Sequence, residues 1–285
     1  MRKRQKEITR HTKDFLITGE SFELVYDEEL EMLTTYPQPK VLDLPKYYES
    51  EAYISHTDAK TGLMAILYQW IKKYSLALKL RLIRSMKDER GSLLDIGAGT
   101  GEFLKLAGDN GWNIQGIEPN EKARKLANSK GVELKDAMKS LEGVQYDVVT
   151  LWHVLEHLPE LEVVVKEIEA FVKPGGLLII AVPNFNSFDA RYYKNYWAAY
   201  DVPRHLWHFS KRTMEKLFST EMDLIKIKPM IFDSYYVSLL SEKYKTGKSF
   251  SIKAIFIGLW SNISAMSTRE YSSQIYCYKK SDKAI

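Results

Sequence analysis

Leu94-Asp95-Ile96-Gly97-Ala98-Gly99-Thr100-Gly101 is the stretch whose reading decides the fold. The short apolar pattern of residues 92–96 reads as a buried strand and residues 102–110 read as a helix, so the three glycines fall in the turn between them. Glycine lets the backbone bend sharply there and lets a ligand lie against it without a Cβ in the way. The helix start that follows offers unpaired N–H groups and a partial positive charge to an anionic group. The spacing is G-x-G-x-G: the third glycine of the dinucleotide fingerprint would fall at position 102, which is Glu102. No Gly-Lys-Ser/Thr follows, which excludes a triphosphate-binding loop. A tight turn alone would also explain such glycines, so the next strand matters. Residues 113–118 end in Glu118, an acid placed at a strand tip where it can accept hydrogen bonds from both hydroxyls of a ribose.

Working outward, strands and helices alternate. A helix is expected over residues 120–130, a short third strand at 132–134, a fourth strand at 146–151 and a helix over 160–172. Lys173-Pro174-Gly175-Gly176 is expected to stop that helix, and 177–182 is a fifth strand. Continuous apolar strands between helices imply a parallel sheet covered on both faces, a doubly wound α/β domain centred on residues 90–185. Upstream, residues 62–86 show the three- and four-residue apolar spacing of an amphipathic helix. Residues 1–46 are broken by Pro37, Pro39 and Pro45 and read as irregular, apart from a short strand at 22–26. Downstream, residues 184–210 are crowded with aromatic side chains and read as a lid or binding loop. A helix at 210–218 with Ser210 as its N-cap and two closing strands at 224–228 and 274–279 complete the reading. The domain organisation is an irregular extension over 1–60 and one α/β domain over 61–285.

The segments LDIGAGTG (94–101), Ile117-Glu118-Pro119, YDVVTLWHVLEHL (146–158) and KPGGLLIIAVPN (173–184) together resemble the class I S-adenosylmethionine-dependent methyltransferases. The likeness is to their small-molecule branch, typified by the ubiquinone-biosynthesis O-methyltransferases, and spans roughly residues 90–185. It implies a Rossmann-like, mostly parallel sheet of seven strands with a C-terminal antiparallel closing strand. It also implies S-adenosylmethionine as cofactor, with S-adenosylhomocysteine as its product. Gly97, Gly99 and Gly101 would pass under the methionine part, Glu118 would bind the ribose, and Asp136 and Ala137 would lie near the adenine. Asp95 counts among the cofactor-binding residues, and Trp152 and His153 fall between cofactor and acceptor. Tyr53-Ile54-Ser55-His56 lies where many members carry an N-terminal cap. The cysteine-rich zinc knuckle that begins some relatives has no counterpart, because residues 1–40 hold no cysteine.

Two histidine clusters stand out. His153-x-x-Glu156-His157 matches an inverted zinc-protease pattern, but that pattern needs both histidines on one helix face and His153 directly follows a strand. No metal is implied. His153 is instead a candidate beside the cofactor, and His157 is expected to hold the turn before Pro159. The second cluster, Asp201-Val202-Pro203-Arg204-His205-Leu206-Trp207-His208, lies on the aromatic lid. Methyl transfer to an O–H or N–H group needs alignment and removal of one proton, a task suited to histidine. His205 or His208 is the candidate base, with Arg204 facing an anionic acceptor group. The bland alternative is an Asp201–Arg204 pair fixing the loop. A non-catalytic cofactor-binding protein and a dinucleotide-dependent oxidoreductase are the competing functions, the latter disfavoured by the glycine spacing.

Composition bounds the rest. The chain has 285 residues, 45% apolar and 27% charged, the profile of an ordinary globular protein. Its single cysteine, Cys277, rules out an internal disulfide framework. The apolar runs are far short of the roughly 20 residues a membrane helix needs, and no apolar stretch follows the basic N-terminus, so a cytoplasmic location is expected. The net charge of +4 is uneven: +5 over residues 1–13, −6 over 14–221 and +5 over 222–285. A small metabolite, lipid or saccharide is the expected acceptor. Nucleic acid is disfavoured, since residues 151–153 lack the Asn/Asp-Pro-Pro-Tyr segment of base-modifying relatives. The apolar residues of 251–266, flanked by Lys248 and Lys253, would suit a membrane-surface helix but are expected to pack into the core. Oligomeric state is not readable.

Overall fold

A computed structural model describes residues 7–48, 63–248 and 250–282; the proposed cap at Tyr53-Ile54-Ser55-His56 lies outside them. In chain order the elements are β1 (Glu7–Lys13), β2 (Ser21–Asp27), β3 (Met32–Tyr36), α1 (Leu63–Arg84), β4 (Ser92–Ile96), α2 (Glu102–Asp109), β5 (Asn113–Ile117) and α3 (Glu121–Asn128). They continue with β6 (Tyr146–Trp152), α4 (Leu161–Ala170), β7 (Val172–Pro183), α5 (Phe188–Tyr193), β8 (Trp207–His208) and α6 (Lys211–Lys216). The last four are β9 (Met222–Pro229), α7 (Asp233–Thr246), α8 (Ile252–Thr268) and β10 (Ser273–Lys280). A six-stranded mixed sheet has the order β5-β4-β6-β7-β10-β9, with the C-terminal strand antiparallel. No described helix is long and apolar enough to cross a membrane.

By compactness the chain divides into two units. One comprises Ser50–Trp152, Glu167–Ile179 and Lys279–Ile285. Here β4 pairs in parallel with both β5 and β6, and Leu93, Leu94, Val148, Val149 and Leu151 are buried, as a strand covered on both faces requires. The expected third strand at 132–134 is a correction. It is reduced to a single parallel bridge, Ile117 to Lys135, in which Lys135 N–H donates to Gly116 O and Glu118 N–H to Lys135 O. This shortfall leaves six strands in that sheet among the described residues, where the resemblance implied seven. Lys173-Pro174-Gly175-Gly176 also departs from expectation: the helix ends at Ala170 and these residues begin β7. Gly175 there has φ of 70°, which lets the strand bend at its start.

The other unit comprises Met1–Glu49, His153–Lys166 and Ile180–Tyr278. Its sheet, β1-β2-β3-β8, corrects the reading of residues 1–46 as irregular. Sequence period hid the strands because polar residues occupy both faces of β1. The expected lid, residues 184–210, is largely interior: Tyr193, Trp197 and Tyr200 are buried in one core cluster with Leu24 and Leu33 of the small sheet, and Leu206 and Phe209 are buried as well. Its segment Trp207–His208 pairs with Leu33–Thr34. Thus most of the aromatic residues expected to form a lid or binding loop pack as core.

Candidate active site

In the first-described unit the glycine turn takes the shape its sequence demands. Gly97, Gly99 and Gly101 have φ of 74°, 54° and 73°, a left-handed region that a Cβ disfavours. The N–H groups of Gly97 and Ala98 donate to Ile117 O at 2.8 and 2.9 Å, which fastens the turn to the end of β5. Gly99 N–H donates to Glu118 Oε2 at 2.8 Å and Asn120 N–H to Glu118 Oε1 at 2.9 Å. Both carboxylate oxygens are therefore aimed by the backbone while Glu118 stays half-buried. A Cβ built on Gly99 would meet nothing within 4 Å, so space lies open in front of it, whereas one on Gly101 would stand 2.9 Å from Ala127 Cβ. The backbone bonds of Lys135 bring Asp136 and Ala137, both exposed, beside the Glu118 tip.

Asp95 behaves differently. Its carboxyl is interior and accepts from Thr150 Oγ1 at 2.5 Å. Burial pushes it up to about 7, against the opposing pull of Thr150 and Lys79. Trp152 stands at the end of β6 with Lys79 Nζ 4.4 Å from its ring centroid and Phe103 edge-on at 5.6 Å. Its indole N–H is buried without an acceptor among the described residues. These positions fit a nucleoside with an extended polar tail: an open glycine floor, an oriented carboxylate for two hydroxyls, and exposed groups past the strand tip.

The other unit collects the histidines. His153 has φ of 58°, an unusual value for a side chain with a Cβ, and its N–H donates to Ala181 O. Its Nε2 lies 3.0 Å from Asp233 Oδ2 and its Nδ1 lies 3.4 Å from Glu156 Oε1. Desolvation works against charge on this ring, yet the two carboxylates win and raise its pKa to about 10. His153 is thus a cation at neutral pH. The Glu156 side chain is buried; burial alone would raise its pKa, but His153 and the neighbouring rings hold it near 2.

His157 Nδ1 lies 3.0 Å from Arg204 O and 3.2 Å from Tyr48 Oη. His205 Nδ1 lies 2.9 Å from Ala199 O, and because a carbonyl only accepts, that nitrogen carries the proton. The two rings meet edge to face at 4.5 Å. Thr35 Oγ1 donates to His205 O at 2.6 Å and so accepts from His208 Nε2 at 3.0 Å. His205 and His208 line a small pocket with Phe185, Trp197 and Trp207. Among the described residues Glu156, His157 and His205 are also a group that could hold a metal ion, one ligand atom from each lying within 4.8 Å of the others. This is a different set from the His153/His157 pairing that the zinc pattern requires.

Arg204 corrects an expectation. It does not face an acceptor: it is buried, and its guanidinium donates to Asp201 (Nε to both oxygens, 3.0 Å each), to Asp14 (2.8 Å) and to Tyr47 O (3.1 Å). The alternative Asp201–Arg204 pairing is the one present, with Asp14 as a third member. Sequence reasoning missed Asp14 and Asp233 as partners, since 190 and 80 residues separate them from Arg204 and His153.

The buried histidines carry a pH prediction. Burial first, and then the nearby His205, lower His208 to about 3 and His157 to about 4. A histidine kept neutral in the fold contributes stability that is whole above its unfolded value of about 6.5 and is lost as pH falls from there toward the folded value. Stability is expected to fall by about 1 kcal/mol per pH unit for each such ring between pH 6.5 and 4. Urea unfolding at pH 7, 6 and 5 checks this. His208→Gln, which keeps a donor for Thr35, should flatten the slope; an unchanged slope would remove His208 from the account.

A family model described as a methyltransferase domain matches residues 67–221, more than half of the chain. The ubiquinone biosynthesis O-methyltransferase of Bordetella avium is 29% identical over 128 residues, covering 41% of this chain and 49% of that protein. The same-named protein of Aeromonas salmonicida is 36% identical over 104 residues, covering 33% and 44%. The chain therefore spans about half the length of the curated relatives it matches. Among solved structures, geranyl diphosphate C-methyltransferase from Streptomyces coelicolor A3(2), in complex with Mg2+, geranyl diphosphate and S-adenosyl-L-homocysteine, aligns with a TM-score of 0.53. The identity is 12%, over 78% of this chain and 86% of that one, which is a likeness of fold.

Proposed function

Because the chain belongs to the family of methyltransferase domains, we propose that it methylates an oxygen or nitrogen atom of a small metabolite, lipid or saccharide with S-adenosylmethionine. The observation that carries this reading is the Gly99–Glu118 bond, which aims a carboxylate at the open floor of the glycine turn. When bound, S-adenosylmethionine would supply a methyl group on a sulfonium to the acceptor's lone pair, the carbon–sulfur electrons staying on sulfur to leave S-adenosylhomocysteine. Gly97, Gly99 and Gly101 form the floor, Glu118 accepts from the ribose hydroxyls, and Asp136 and Ala137 border the base. Trp152 closes one side, and Asp95 supports the turn from beneath through Thr150.

Proton removal falls to His205 in this reading. Its Nδ1–H is committed to Ala199 O, which leaves Nε2 to take the acceptor's proton. The Glu156 carboxylate nearby stabilises the imidazolium that forms. His208 steadies His205 through Thr35. His153, already protonated, orders the start of the segment rather than acting as base.

Calorimetric titration tests the assignment. S-adenosylmethionine and S-adenosylhomocysteine should bind and NADH should not. His205→Ala should bind both sulfur compounds as the parent does while losing about 100-fold or more in turnover, the usual contribution of a general base. Absence of binding by either sulfur compound sinks the cofactor reading; a fully active His205→Ala protein sinks the base.

A further inference from the structure

Helix α8 is built inside out. Its small residues Ala254, Gly258, Ser261 and Ala265 are buried, while Ile252, Ile255, Phe256, Leu259, Trp260, Ile263 and Met266 are exposed. Phe256 is 63% exposed, Trp260 56% and Met266 68%, values that contradict the expectation of core packing for residues 251–266. At 3.6 residues per turn the exposed set falls within one arc of about 140°, and the small set lies opposite. The cause is close packing against α7: a Cβ on Gly258 would stand 2.9 Å from Ser234 O and Tyr235 Cα, so only small residues can face that helix. Phe250 and Ile231 extend the apolar surface, the latter held beside Asn262 by a 2.9 Å bond. Such an area exceeds the scattered apolar exposure of an ordinary monomer surface.

Charge says what covers it. Residues 243–269 contain Lys243, Lys245, Lys248, Lys253 and Arg269 and no acid. Lys253 reaches the neighbouring Glu242 at 3.7 Å, and Lys243, Lys245 and Lys248 are exposed at the N-terminal side of the helix. A second copy docking face to face would set these cations against their own kind, whereas an anionic lipid surface complements them. The pattern of an uncharged apolar arc with cations at its ends is that of a helix lying in the plane of a bilayer interface. The segment also lies outside residues 67–221, the part shared with the methyltransferase-domain family.

We propose that the exposed face of α8 docks this protein on anionic phospholipid membranes, its apolar side chains entering the headgroup region and its lysines meeting the lipid phosphates. The proposal does not depend on the identity of the methyl acceptor. The 285-residue chain is mixed with sedimentable vesicles of phosphatidylcholine alone or phosphatidylcholine with phosphatidylglycerol. Binding is expected to the anionic vesicles, weakening with salt, and F256S/W260S is expected to lower the bound fraction about tenfold or more. Because both side chains are exposed, that variant should keep the parent's thermal midpoint and its S-adenosylmethionine binding. Lys243→Glu with Lys248→Glu should weaken binding without removing any apolar contact. Parent protein that stays in the supernatant with both vesicle types overturns the proposal, as does F256S/W260S binding as well as the parent. A parent dimer that F256S/W260S turns into a monomer, with no vesicle binding, assigns the face to a second copy instead.

Discussion

Arg204→Leu is expected to lower the unfolding free energy at pH 7 by about 3–5 kcal/mol, the range for removing one partner of a buried ion pair. The guanidinium is 1% exposed and Asp14 is fully buried, so neither side can turn to water when the other is lost. The cation ties together three remote parts of one unit: Asp14 after β1, the carbonyl of Tyr47, and Asp201. Burial pushes the Asp14 carboxyl up, yet the Arg204 bond and the N–H groups of Thr18 and Leu16 outweigh it and hold it at about 2. A carboxyl lowered in this way contributes stability above its unfolded value near 3.8, lost as pH falls toward 2. Without Arg204 that contribution shrinks, so the deficit of the variant should be larger at pH 7 than at about pH 2.5, inside the window where the parent loses it. Urea unfolding at the two pH values reads both numbers. Arg204→Lys should fall between parent and Leu variant, because an ammonium keeps the charge but not the fork that serves two carboxylates and a carbonyl. A loss below about 1 kcal/mol at pH 7 would falsify the network as a stabilising element.

Glu118→Ala is expected to weaken S-adenosylmethionine binding by about 1–3 kcal/mol, or roughly 5- to 150-fold, the worth of charge-assisted bonds to two hydroxyls. The effect has two sources. The carboxylate itself is removed, and the Gly99 and Asn120 N–H groups that aim it lose their acceptor, so the open side of the glycine turn loosens. Glu118→Gln should be intermediate, since an amide oxygen still accepts one N–H while its NH2 cannot accept from a hydroxyl. Calorimetry with S-adenosylhomocysteine separates this from any methyl-transfer defect. Equal affinity for parent and Ala variant would take the ribose away from Glu118.

The residues 92–118 were legible because their chemistry is local. A strand, a left-handed glycine turn, a helix start and an acid at the next strand tip follow one another within the reach of a few backbone bonds, so spacing alone carries their geometry. The third strand was misread because apolar content at 132–134 does not supply ladder partners; only Lys135 finds them. The aromatic segment 184–210 was misread for the opposite reason. Its tyrosines and tryptophans look like a loop by spacing, and they become interior where β2 and β3 pack against them within the same unit. The expectation for Arg204 failed through distance along the chain: nothing near position 204 announces Asp14.

The sequence by itself determined the elements whose partners are near neighbours: parallel strands β4 to β6 in continuous apolar runs, the glycine turn, the Glu118 tip and the Ser210 cap, which bonds Thr213 N–H at 3.0 Å. These depend on backbone periodicity and on hydrogen bonds closed within a few residues. Tertiary structure alone decided which histidine is a cation, where Arg204 is spent, and which face of α8 meets solvent. Each of those outcomes is set by what stands opposite a side chain: Asp233 and Glu156 around His153, Asp14 across from Arg204, and the close approach of α7 at Gly258. Electrostatics and packing act through space, and residues far apart in the chain become neighbours only once the fold has closed.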